Sequence, residues 1–181
     1  MVSPLLALLT LYTPGWVKGQ GLRRLFAVTA EGFQVPLPDR LPRSHHQLLE
    51  LYARFTAQQA VEALRSGRDL DPLRERVYRG AQGMGAGLRR QLGVGTMPEV
   101  MAAARVAYRA LDIDFVGSPD GAIVVSRCFF SRHYSPEVCS LISALDAGLL
   151  AGLSGGGRLE FSQRLTEGAD CCCARLEAPA W

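Results

Sequence analysis

Lysine is almost missing from this chain, since Lys18 is the single lysine among 20 Lys and Arg residues. The arginines are scattered and are not interleaved with aromatics along one segment, as a nucleic-acid surface requires. The net charge is only +3. Nucleic acid is therefore not an expected partner. Long apolar runs are missing too. The first one, Pro4 to Tyr12, has no basic flank before it and is too short to span a bilayer. Neither a signal peptide nor a membrane anchor is expected. Histidine is limited to His45, His46 and His133, and no Cys-x-x-Cys pair stands at ligand spacing. No metal and no cofactor are expected on those grounds. The 5 cysteines, three of them adjacent at Cys171, Cys172 and Cys173, do not make the spaced even set of a secreted disulfide framework. The reducing cytoplasm is the expected compartment. Charge blocks, low-complexity tracts and internal repeats are also absent, so the chain is expected to fold throughout.

What is present fits one domain. A chain of 181 residues, 48% hydrophobic and 20% charged, can bury a core without staples. In residues 1–43, Pro4, Pro14, Pro36, Pro38 and Pro42 restrict helices to short ones, with Gly21 to Phe33 the best candidate. From Ser44 onward the signals sharpen, and residues 44–181 read as an α+β domain. Ser44 with Gln47 has the spacing of a capping box, and Leu48, Leu49, Tyr52 and Phe55 share a helical face that ends before Gly67. Asp71 before Pro72 reads as a helix cap, with Gly93 as the stop. That helix carries Gly80, Gly83, Gly85 and Gly87. Each costs about 1 kcal/mol against Ala, which points to close helix packing, a break, or backbone approach to a ligand. Thr96 with Glu99 is a second capping box.

After Asp112 the period becomes extended. Ile113 to Val116 and Ala122 to Cys128 flank a Gly-Ser-Pro-Asp-Gly turn. Ser135 and Pro136 open a helix with an apolar stripe of Val138, Leu141, Ile142, Leu145, Leu149 and Leu153, stopped by Gly155 to Gly157. Strands at Arg158 to Arg164 and Cys171 to Leu176 follow. The expected fold class is α+β: a helical N-terminal half, then an antiparallel sheet of about four strands packed against helices.

On the helix opened by Pro136, Cys139, Ser143 and Asp146 lie within about 60° of one another at 100° per residue. One stripe thus holds a thiol and a carboxylate. Cys139 is either a small buried hydrophobe or a reactive group. On the last strand Cys172, Ala174 and Leu176 point one way and Cys171, Cys173 and Arg175 the other, so the three adjacent thiols cannot share one metal.

The string SRCFF, then SPEVC, then Asp146, then LEFSQRLTEGADCCCARLE resembles the closing signature of the L-2-amino-thiazoline-4-carboxylic acid hydrolase family. The matched positions are Arg127, Cys128, Pro136, Glu137, Cys139, Asp146, Phe161, Arg164, Thr166, Gly168, Asp170 and Cys172. The chain departs from that pattern after Cys172, where the family more usually has an acidic residue and an aromatic. A more distant resemblance is to the vinyl-reductase-like ligand-binding domains, in which a strand Glu and a further Cys complete a zinc site. Phe161 and Arg164 stand near those two positions here.

The first resemblance implies a reaction in which water adds to the carbon between ring sulfur and nitrogen, the C–S bond breaks, and an N-carbamoyl cysteine results. Asp146 is the expected partner of the substrate amidinium. Cys139 and then Cys128 are the candidate nucleophiles, with water activated by a carboxylate as the alternative. Arg127 and Arg164 are candidates for the substrate carboxylate. His133 is a candidate proton donor or a solvated loop residue. Glu137 and Cys172, matched to the family pattern, complete the substrate-binding set. The expected partner is a small molecule, and self-association into a homo-oligomer is compatible with the composition. Three classes stay open: a C–N or C–S hydrolase, a non-catalytic hydrophobic-ligand domain, and a protein-interaction module. A polar pocket joining thiol, carboxylate and Arg would mark the first, a closed apolar cavity the second, and a flat exposed apolar patch the third.

Overall fold

The computed structural model describes residues 3–177 and residue 179. Among these, the helices are α1 (Pro4–Leu11), α2 (Gly15–Phe33), α3 (His45–Arg65), α4 (Asp71–Leu92), α5 (Met97–Arg109) and α6 (Pro136–Ser154). The strands are β1 (Asp114–Gly117), β2 (Ala122–Arg127), β3 (Arg158–Gln163) and β4 (Cys172–Glu177). They form one antiparallel sheet in the order β1-β2-β4-β3. The α+β class is as the sequence predicts.

The prolines of the first 43 residues punctuate helices instead of preventing them. Pro4 begins α1 and Pro14 caps α2, which opens six residues before the predicted Gly21 and runs for 19 residues. Leu6, Leu22 and Phe26 are fully buried, so this segment is part of the common core. The capping predictions divide. Glu99 Oε2 accepts from the backbone N–H of Thr96 at 3.1 Å and of Gly95 at 2.9 Å, so the α5 box forms. Ser44 flanks α3 without a side-chain cap bond. Asp71 is the first residue of α4 rather than its cap, and its N–H goes to Asp69 Oδ1 at 3.0 Å.

The glycines of α4 separate by environment. A Cβ at Gly85 would be driven into the Leu149 carbonyl oxygen, and one at Gly80 into the Val28 side chain, whereas Gly83 and Gly87 face open space. The crossing is reciprocal. On α6, a Cβ at Gly148 would strike the Tyr78 carbonyl oxygen and one at Gly152 the Gln82 carbonyl oxygen. Small residues on both helices therefore let two backbones touch. By length and composition α6 could cross a membrane, but 67% of its apolar window is buried inside this fold. Its apolarity follows from its place between α4, α3, α5 and β3.

The sheet is covered on one face. Phe115, Ile123, Val125, Ala174 and Leu176 are buried toward the helices, while Val116 and Val124 are exposed on the opposite face. β4 is an inner strand paired with both β2 and β3, so its alternation puts Cys172 toward the core and Cys173 outward.

Candidate functional site

A cavity of about 90 Å³ lies where α6 meets Tyr52 of α3, Tyr108 in the last turn of α5 and the turn before β4. Its wall is largely apolar, with Leu25, Leu111, Ile113, Phe130, Ile142, Leu145, Leu149 and Leu165. Set among them are Tyr52, Tyr108, Tyr134, Ser131, Ser143, Thr166, Asp146 and three thiols, those of Cys128, Cys139 and Cys172.

Asp146 reaches this cavity because α6 turns the face that carries Cys139 and Ser143 toward it. Tyr108, in the last turn of α5, stacks on Phe115 at 4.9 Å between ring centroids and donates its hydroxyl hydrogen to Asp146 Oδ1 at 2.8 Å. Burial pushes the Asp146 carboxyl up to about 6, against the pull of the Tyr108 hydroxyl and of the Arg164 charge. The other phenols are satisfied elsewhere. Tyr52 shares a hydrogen bond with Thr29 Oγ1 at 3.0 Å, and Tyr134 shares one with Thr56 Oγ1. Among the described residues, Asp146 is the one carboxyl on this wall.

The thiols are in surroundings that keep them protonated. Burial pushes Cys128 up to about 12, and it also raises Cys139 and Cys172. Cys139 occupies the fourth position of α6, where its own N–H already bonds Ser135 O at 2.9 Å. The neighbouring Val138 N–H is likewise taken, by Ser135 Oγ at 3.4 Å. Cys172 Sγ accepts from Leu165 N at 3.3 Å. Thr166 Oγ1 is buried beside the Cys139 thiol, on which it acts as a hydrogen-bonding neighbour. Arg164 stands behind this part of the wall, its guanidinium 4.4 Å from the centre of the Phe161 ring and 3.6 Å from Glu167 Oε1, with Nε buried and unpartnered. Its charge is felt by Asp146, Cys139 and Cys172.

Five of the eight residues singled out from sequence, Cys128, Cys139, Asp146, Cys172 and Arg164, are thus gathered at or just behind one cavity. The other three are elsewhere. Arg127 is exposed on β2 and pairs through both guanidinium arms with Asp114 at 2.8 and 3.0 Å. Glu137 is exposed at the start of α6 and accepts from Ser135 Oγ at 2.7 Å. His133 packs on Phe129 and lies 3.5 Å from Glu50 Oε2, outside the cavity lining. None of these three lines the cavity, although Cys128, Phe130, Ser131 and Tyr134 of the same stretch do, so the chain passes the cavity with these three side chains turned away from it. Tyr108 and Tyr134 are the site residues that sequence reasoning passed over, while Thr166 was matched to the family pattern without being given a role. Tyr108 had a signal, since it continues the Val100, Ala104 stripe at helical spacing as a polar-tipped residue.

Among the described residues, no three or more His, Cys, Asp or Glu side chains are grouped as a metal ion would need. Compared with known proteins, the chain matches no family model and no curated protein.

Proposed function

We propose that the chain binds a small, largely apolar molecule bearing one protonated nitrogen head, such as an amidinium, and holds that head on Asp146. The observation that carries this reading is a single half-buried carboxyl in a largely apolar cavity, with one hydrogen bond from Tyr108 as its support. Above pH about 6 this group is an anion short of partners, and a cationic donor supplies the missing charge and hydrogen bonds. The Thr166 hydroxyl, beside Cys139 on the same wall, offers the ligand a second polar contact. Calorimetric titration with 2-amino-thiazoline and with its 4-carboxylate tests this. Binding that weakens tenfold or more in Asp146→Asn supports it, and equal affinity in both proteins overturns it.

A second reading, hydrolysis of the cyclic amidine itself, is favoured by the raised Asp146 carboxyl, because a base that titrates near neutrality is suited to take a proton from attacking water. In this reading water adds to the amidine carbon, its proton passes to Asp146, the C–S bond breaks, and the ring sulfur leaves as a thiol. Arg164, behind the wall, then contributes its charge toward the substrate carboxylate. The half-buried, protonated thiols speak for water over cysteine as the nucleophile. Incubation with the thiazoline carboxylate, followed by mass spectrometry for N-carbamoyl cysteine, separates turnover from binding alone.

A further inference from the structure

Cys171 immediately precedes β4, and the alternation of the strand splits the three adjacent cysteines between two environments. Cys172 faces the cavity, while the Cys171 and Cys173 sulfurs meet on the opposite side of the sheet, 3.5 Å apart and partly exposed. Their partners are specific. Gln163 Nε2 donates to Cys171 Sγ at 3.3 Å and to Cys171 O at 3.2 Å. Gln163 reaches that place because β3 carries an irregularity between Phe161 and Gln163 that sets Gln163 opposite Cys173. Cys171 Sγ thus receives a fixed amide hydrogen bond in addition to its contact with the Cys173 thiol.

We infer that Cys171 and Cys173 form a surface dithiol that undergoes thiol–disulfide exchange with small-molecule disulfides and closes an intramolecular Cys171–Cys173 bond. Cys171 is the attacking thiol. Its thiolate adds to one sulfur of the disulfide and expels one thiolate product, leaving a mixed disulfide at Cys171. The Cys173 thiolate then attacks the Cys171 sulfur and expels the second product. Two protein thiols are oxidised, one small-molecule disulfide is reduced, and the two protons lost by Cys171 and Cys173 end on the two product thiols. The pair is two residues apart and accessible, so the closed ring is small and exposed, which places it with the labile, exchangeable disulfides and not with the structural ones. Cys172 is spared because its sulfur lies on the cavity side and takes the Leu165 N–H.

The test uses the intact wild-type protein equilibrated with mixtures of reduced and oxidised glutathione. Free thiols are blocked with one alkylating reagent, the protein is reduced, and the newly released thiols are labelled with a second. Fragment-ion mass spectrometry then reads which positions carry the second label. The expected result is second label on Cys171 and Cys173 together, rising with the oxidised fraction, with first label on Cys172. In Cys173→Ser the expected result is a persistent mixed disulfide with glutathione at Cys171, since the resolving thiol is gone. Second label on Cys172 in the wild type, or no second label at any glutathione ratio, would overturn the inference.

Discussion

Asp146 is the residue whose environment has the largest consequence. A folded-state carboxyl raised from 3.8 to about 6 binds its proton more tightly in the fold than in the unfolded chain. The associated stability is fully present below the unfolded value and is lost as pH rises through about 6. The span corresponds to roughly 3 kcal/mol. Asp146→Asn removes the titrating group and keeps the shape, so the variant is expected to lose this part of the pH dependence. Urea midpoints at pH 5 and pH 8 check it. The wild type should lose more stability between the two values than the variant does, and parallel behaviour would show that Asp146 does not titrate in this range. The same residue shows how far sequence reasoning reached at this scale. Periodicity put Cys139 and Asp146 on one stripe, whereas the hydrogen bond from Tyr108 joins residues 38 apart in the chain. No local pattern announces such a bond.

At the scale of elements, the α4–α6 crossing decides where the cavity wall stands. Gly148 has the Tyr78 carbonyl and the Ala81 side chain where a Cβ would go. Gly148→Ala is therefore expected to cost about 2 kcal/mol or more, because neither backbone can yield without moving a helix. Gly83→Ala, on the open side of α4, is expected to be neutral or stabilising by up to about 1 kcal/mol. Equilibrium denaturation of both variants distinguishes close packing from mere helix propensity, since propensity alone would make both substitutions stabilising. The sequence shows four unusual glycines in α4, but which of them touch another helix depends on a neighbour more than fifty residues away.

For the whole molecule, the first 43 residues bear on stability more than their prolines suggest. Leu6, Leu22, Leu25 and Phe26 are all buried in the shared core. At about 1.5–3 kcal/mol for each large apolar side chain, their joint burial is comparable to the entire stability of an ordinary domain, about 5–15 kcal/mol. A chain that begins at Ser44 is expected to lack a cooperative thermal transition by circular dichroism. A sharp transition close to that of the full chain would show residues 44–181 to be self-sufficient.

By itself the sequence determined the element types from Ser44 onward, the α+β class, the two faces of β4 and the stripe shared by Cys139 and Asp146. These depend on short-range periods of 3.6 and 2 residues and on the chemistry of caps and turns. Only the tertiary structure decided that Arg127, His133 and Glu137 stay outside the cavity, that Tyr108 supports Asp146, and that the first helices belong to the core. Those outcomes depend on which distant surfaces bury one another, and burial also sets the protonation of Asp146 and of the thiols. Periodicity assigns a side chain to a face. Packing decides what that face meets and how much water remains there.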